Sequence, residues 1–211
     1  MDAIIAKLLE ISSDALAHSA GEIDTAVPES IGRDRSTLIE ILEYKNGFFC
    51  FESALHVFPS LSVETSWGLI DWNSSSLWKS DYQGFANDIF CFAEDIFCTQ
   101  FCMSSAGIFT FNPETADREQ IAGSLREWAE QMLVDYNQLT GYRFAHEWQQ
   151  QNGPVPARYR LMPKIPFVLG GEYALNNLAA LDGVRVMKNL GNLASQIHHL
   201  PDGAHIEFKI I

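Results

Sequence analysis

Residues 92–115, FAEDIFCTQFCMSSAGIFTFNPET, decide the fold. Short aromatic and branched runs at 89–93, 96–102 and 108–111 have strand composition, and the polar pairs and glycine between them have turn composition. The stretch therefore predicts an antiparallel meander. If Glu94-Asp95 is a two-residue loop, Cys91 falls opposite Cys98 on one face of the pair. Asn112-Pro113-Glu114-Thr115 ends the meander.

Upstream, Ile4, Leu8, Ile11, Ala15 and Leu16 recur at helical spacing, which predicts an amphipathic helix over 2–17. Gly21 and Pro28 then loosen the chain. A second helix runs from near Ser36, an N-cap, through Leu38, Ile41, Leu42 and Tyr44, and stops at Asn46-Gly47, a left-handed helix end. Runs at 48–51 and 55–58 are further strands, and 67–82 is weakly helical around Asn73-Ser74-Ser75-Ser76.

Downstream, Asp117 with Gln120 three residues later resembles a capping box for a helix whose buried stripe is Ile121, Leu125, Trp128, Met132 and Tyr136. A short helix at 140–150 leads into a long loop over about 150–166, dotted with Pro154, Pro156, Pro163 and Pro166. An edge strand at 172–175, a helical region at 181–199, a turn at Pro201-Asp202-Gly203 and an alternating strand at 205–211 complete the reading. The tail beyond the loop is too short for a core of its own, so residues 1–211 are expected to form one domain. The fold class is α+β, with a single mixed, largely antiparallel sheet and flanking helices.

The 211-residue chain is 47% hydrophobic and 19% charged, as a folded globular protein is. Its net charge is −13. Between Asn46 and Asp117 the one basic residue, Lys79, faces nine carboxylates, whereas beyond Gly141 basic residues outnumber acids. Such a balance disfavours nucleic-acid backbones and favours a basic partner; it also serves solubility. No basic leader opens the chain and no apolar run approaches the ~18 residues of a membrane span, which predicts a cytoplasmic protein with no membrane partner.

The residues offer no ready catalytic set. Cys50, Cys91, Cys98 and Cys102 lack a Cys-x-x-Cys pair and sit among Phe, Ile and Met, so buried thiols are expected in place of a metal centre or a disulfide frame. His146-Glu147 lacks the second histidine of a metalloprotease helix, and His198-His199 diverge on a helix. Nucleotide-binding and nucleophile-elbow glycine motifs are missing, and no cofactor is implied. What stands out is the alternation of rings and acids at Trp67, Asp71, Trp72, Trp78, Asp81, Tyr82, Phe85 and Asp88. Either these rings are core with solvated acids behind them, or they form an interface in which aromatic anchors fill pockets while carboxylates steer approach.

The order of several motifs resembles the SUKH superfamily of the Smi/Knr type: Asn46-Gly47 after a helix, Trp67-Gly68, Phe92-Ala93-Glu94-Asp95-Ile96-Phe97 with Gln100-Phe101, then Trp128. The tail Pro166-Phe167-Val168-Leu169-Gly170-Gly171-Glu172-Tyr173, with Asn177-Leu178 and Pro201-Asp202-Gly203, is similar to a longer bacterial branch. The resemblance begins near Ile31, leaves the N-terminal helix (1–20) outside, and departs at Cys98-Thr99, where a glycine and a polar residue are expected. It implies an α+β fold and, in bacteria, an immunity protein that binds and neutralises a toxin, often a nuclease, with no fixed catalytic residues. Asn46, Gly47, Trp67, Gly68, Asp95 and Gly107 would then define the fold. The expected function is inhibition of a basic cognate toxin, with Asp71, Trp72, Asp81, Asp88, Glu94 and Asp95 as contacts. A scaffold of the same fold and a carboxylate-dependent hydrolase are the alternatives.

Overall fold

The computed structural model describes residues 1–18, 23–198 and 200; the expected turn at 201–203 and strand at 205–211 lie outside them. The fold is α+β. Its centre is a six-stranded antiparallel meander in sequence order: β1 (Phe48–Cys50), β2 (Leu55–Val57), β3 (Phe90–Glu94), β4 (Gln100–Ser104), β5 (Gly107–Phe111) and β6 (Arg118–Ala122). A two-stranded ribbon, β7 (Tyr159–Pro163) with β8 (Leu178–Asp182), lies beside it, joined where Leu161 N donates to the Ile96 carbonyl. Every strand pair among the described residues is antiparallel, so the expected single mixed sheet is corrected to an antiparallel sheet plus a ribbon.

Helices α1 (Ala3–Glu10), α3 (Arg35–Tyr44) and α5 (Leu125–Thr140) cover one face of the sheet. Ile5, Leu8, Leu38, Ile41, Leu125 and Trp128 converge there over Phe48, Val57 and Phe92. The other face carries α4 (Leu69–Trp72), the 3-10 turn Lys79–Tyr82 and α7 (Gly183–Ile197). The short α2 (Ile23–Ala26) precedes α3, and α6 (Tyr142–Asn152) follows α5.

Local chemistry explains the boundaries. The first helix stops at Glu10, earlier than expected, because Ser12-Ser13-Asp14 offers competing hydrogen bonds. The Ser12 hydroxyl bonds the Leu9 carbonyl, and the chain then runs along the β1 edge, where Ser13 N donates to Phe49 O and Leu16 N to Gly47 O. That edge of the sheet is thereby covered. Asn46-Gly47 ends α3 as expected: Gly47 has φ +71°, and a Cβ there would meet Pro59 at 2.6 Å. The Asn46 amide clamps Ser60 from both sides.

The expected helix from Asp117 instead begins as β6. The α5 cap is Ser124, whose hydroxyl accepts from Glu127 N while the Glu127 carboxylate accepts from Gly123 N. Of the expected stripe, Leu125, Trp128 and Met132 are buried in α5, Ile121 belongs to β6, and Tyr136 stacks on Phe51. Residues 150–166 are also not one loop, since they contain β7. Residues 172–175 form no strand, and the second strand of the ribbon is β8.

A register shift between Cys91 and Ala93 corrects the cysteine pairing. Cys91 faces Cys102, Ala93 faces Phe101 and Glu94 faces Gln100, so the hairpin loop spans 95–99 in place of two residues. Cys98 sits in that loop at φ +65°, the left-handed position in which the resemblance expects glycine. The Cys91 and Cys102 sulfurs lie 3.3 Å apart, and all four thiols are free and buried. Burial pushes the Cys50 thiol up to about 11 and those of Cys98 and Cys102 well above the ordinary range. A thiolate-selective disulfide reagent is therefore expected to leave the folded protein unlabelled at neutral pH and to modify all four thiols in denaturant. Fast labelling of the native protein would contradict this burial.

Candidate docking surface and the polar network beneath it

The structure separates the six expected contact residues into two groups. Trp72, Glu94 and Asp95 are buried, so their assignment to a docking surface is corrected. The reason is the β3 bulge: it turns Glu94 onto the sheet face that α4 and α7 cover. Asp71 and Asp88 are exposed and Asp81 half-buried, each in different surroundings. Asp71 accepts a hydrogen bond from the Ser62 hydroxyl, Asp81 borders a recess with Arg185 and Lys188, and Asp88 borders another with Arg118 and Phe109. Among the described residues no hydrogen bond or ion pair joins the three into one patch, and two of them face basic residues.

The buried group forms one network. Trp72 Nε1 donates to Gln100 Oε1 (2.7 Å), Gln100 Nε2 reaches Glu94 Oε2 (3.3 Å), and Arg160 Nε lies 2.8 Å from Glu94 Oε1. His56 Nδ1 lies 3.0 Å from the same oxygen, and its Nε2 is 2.8 Å from Ser66 Oγ. Arg160 of β7 is thus tied to β2, β3 and β4, fixing the ribbon against the meander. Burial pulls the His56 pKa down to about 4 and the ring stays neutral at pH 7, although the bond to Glu94 opposes this. Burial alone would raise the Glu94 carboxyl, but Arg160, then His56 and Gln100, outweigh it and hold it below its ordinary value.

Ser66, His56 and Glu94 have the connectivity of a nucleophile, base and orienting carboxylate. Here Ser66 is fully buried, its one hydroxyl proton is shared between the His56 ring and the Trp67 carbonyl at 2.8 Å, and Arg160 occupies the carboxylate. The trio therefore anchors the 63–66 turn to the sheet. Among the described residues, no group of three His, Cys, Asp or Glu side chains is disposed to hold a metal ion. None of their helices is long and apolar enough to cross a membrane.

Asp95 works within the hairpin: its Oδ1 accepts from Phe97 N and Thr99 N, both at 2.8 Å. Its expected fold-defining role is that of the loop staple. Burial raises its carboxyl to about 7 despite these bonds.

Exposed apolar side chains mark a surface that the sequence reading missed. Tyr44 is 72% exposed, Val134 80% and Ile11 also exposed, and each adjoins an exposed carboxylate in sequence: Glu43-Tyr44, Val134-Asp135 and Glu10-Ile11. Tyr44 ends α3, Val134 lies in α5 and Ile11 follows α1, all helices that cover the same face of the sheet. Lys45 Nζ bonds the Leu9 carbonyl and Ser12 hydroxyl, tying the end of α3 to the end of α1. α1 packs on α5, and Cys50 and Phe51 of neighbouring backbone touch Ile11 O and the Tyr136 ring. Ile11 and Tyr44 continue the apolar spacing of their helices, so the sequence alone reads them as core, and their exposure is a correction to that reading.

No family model and no curated protein matches the chain. Among solved structures, the crystal structure of Atu4351 from Agrobacterium tumefaciens is similar in fold, with a TM-score of 0.52 at 10% identity over 87% of this chain and 86% of that one.

Proposed function

We propose that this chain is an immunity protein that neutralises a basic bacterial toxin by binding it, and that it does so without chemistry of its own. The observation that carries this reading is the exposure of Ile11, Tyr44 and Val134, at or in the helices α1, α3 and α5, each next in sequence to an exposed carboxylate, Glu10, Glu43 or Asp135. Exposed rings and aliphatics supply contact area, and surrounding carboxylates accelerate and select a cationic partner. The net charge of −13 disfavours nucleic acid as that partner. The SUKH resemblance points to the same class of function, within the cytoplasm of the toxin-producing cell. Asp71, Asp81 and Asp88 remain as a second, more dispersed acidic set.

The test uses as probe the toxic domain that this reading expects the adjacent reading frame to encode. Charge reversal at Glu10, Glu43 and Asp135 is expected to slow association at least about tenfold at low salt and to flatten its salt dependence. Reversal at Asp71, Asp81 and Asp88 is expected to have a smaller effect. No binding to that domain sinks the immunity reading, whereas normal binding by the first variant sinks only this surface.

A further inference from the structure

The 164–177 segment is held like a core element, yet it turns large apolar groups outward. Lys164 N donates to the Asn177 carbonyl, Ile165 N to Asn177 Oδ1, and Asn177 Nδ2 to the carbonyls of Ile165 and Glu172. Gly171 N closes onto Pro166 O, and a Cβ on Gly171 would stand 1.9 Å from the Ile165 carbonyl oxygen, so the turn admits only glycine. The buried Glu114 carboxylate accepts from Phe167 N and Val168 N (3.1 and 2.7 Å), pinning the segment to the loop after β5. On this fixed frame Tyr173 is 62% exposed, Ile165 57% and Val168 43%.

Tyr173 is the exposed edge of a half-buried aromatic cluster. Phe167 and Tyr173 stack at 3.8 Å, and Phe97 lies 5.6 Å from Phe167 and 5.8 Å from Phe144. Rigid aromatic anchors lose little entropy on association, which is the property of an interface hot spot. Beside the buried Glu114 and Asp95, both signs of charge stand at the cluster's surface. Arg143 is taken up by Glu147 at 3.8 Å and by the Phe144 ring, while Lys164, whose Nζ donates to the Asn176 carbonyl and keeps further donors, and Glu172 are exposed charges of opposite sign at the two ends of the segment.

We infer that the 164–173 face is the contact between two copies of this chain. Elsewhere the net charge of −13 opposes the approach of a second copy. Across a two-fold axis on this face, apolar side chains meet their equivalents, and Lys164 of each copy meets Glu172 of the other, which is the self-complementarity of an isologous interface. The surface is separate from the acidic helical layer and leaves it open to a different partner.

Sedimentation velocity of the full chain over a concentration series tests this. Reversible dimerisation is expected, strengthening between low and physiological salt as the Debye length falls to about 8 Å and the net repulsion is screened. Val168→Asp should weaken the dimer at least about tenfold with unchanged circular dichroism. Lys164→Glu and Glu172→Lys should each weaken it, and the two together should restore it, because the pairs re-form only between copies. A single chain mass at every concentration, or a dimer indifferent to Val168→Asp and to Ile165→Asp, overturns the inference. So does a monomer in which Val168→Asp abolishes binding of the neighbouring toxic domain, since the face would then belong to that partner.

Discussion

Glu94→Ala is expected to destabilise the protein by about 3–5 kcal/mol, the cost of leaving a buried charge without its partner. The Arg160 guanidinium, 2.8 Å from that carboxylate and almost fully buried, would lose its counter-ion, while His56 Nδ1 and Gln100 Nε2 would lose an acceptor. Native domains hold only about 5–15 kcal/mol in total, so the effect is a large fraction of the fold's stability. Arg160→Met should cost a similar amount, because the uncompensated charge then sits on Glu94. The double variant Glu94→Leu/Arg160→Met should recover much of the loss, since neither charge remains to be desolvated. Urea unfolding of the four proteins at pH 7 measures the cycle. Single variants within about 1 kcal/mol of the parent would show that water or rearrangement already relieves the pair.

The network also shows what a sequence conceals. The meander was legible because strand composition and turn residues alternate over 89–111, and Asn46-Gly47 announced the end of α3 with its own backbone requirement. The bulge at Phe92 was not legible, since a one-residue insertion changes the face of Glu94 without changing composition. Glu94, Asp95 and Trp72 therefore read as an acidic, aromatic surface when they are interior. β7 escaped for a different reason: Arg160 to Pro163 are buried on both sides, which removes the period-two alternation, and prolines at 156, 163 and 166 imitate a loop. β6 escaped because an edge strand of Arg-Glu-Gln has helix-forming residues, and its pairing to β5 overrides their preference. The exposed Tyr44 and Val134 sit inside ordinary amphipathic helices, where only the packed layer shows which side they face.

Asp95→Asn is expected to change the pH dependence of stability more than any surface substitution. The folded Asp95 carboxyl is raised to about 7 from an ordinary 3.8, mainly by burial, so the native state keeps a proton that the unfolded chain has released. Its favourable contribution is complete below about pH 3.8 and disappears as pH rises through 7. His56 acts in the opposite sense: burial lowers it to about 4 from 6.5, so its contribution is present above 6.5 and lost as pH falls towards 4. Between about pH 4 and 6.5 these two slopes nearly cancel, leaving the contributions of other groups, among them Glu114, whose carboxyl burial raises. In Asp95→Asn the amide oxygen can still accept from Phe97 N and Thr99 N, but the compensating titration is gone. Relative to the parent, the variant's stability should climb with pH at about 1.4 kcal/mol per unit across that interval. At pH 8 the variant should exceed the parent by on the order of 4 kcal/mol, because no charge is buried at position 95. Chemical denaturation of both proteins at pH 5, 6.5 and 8 resolves the difference. Parallel curves would mean that Asp95 is ionised throughout, held by its two backbone donors in spite of its burial.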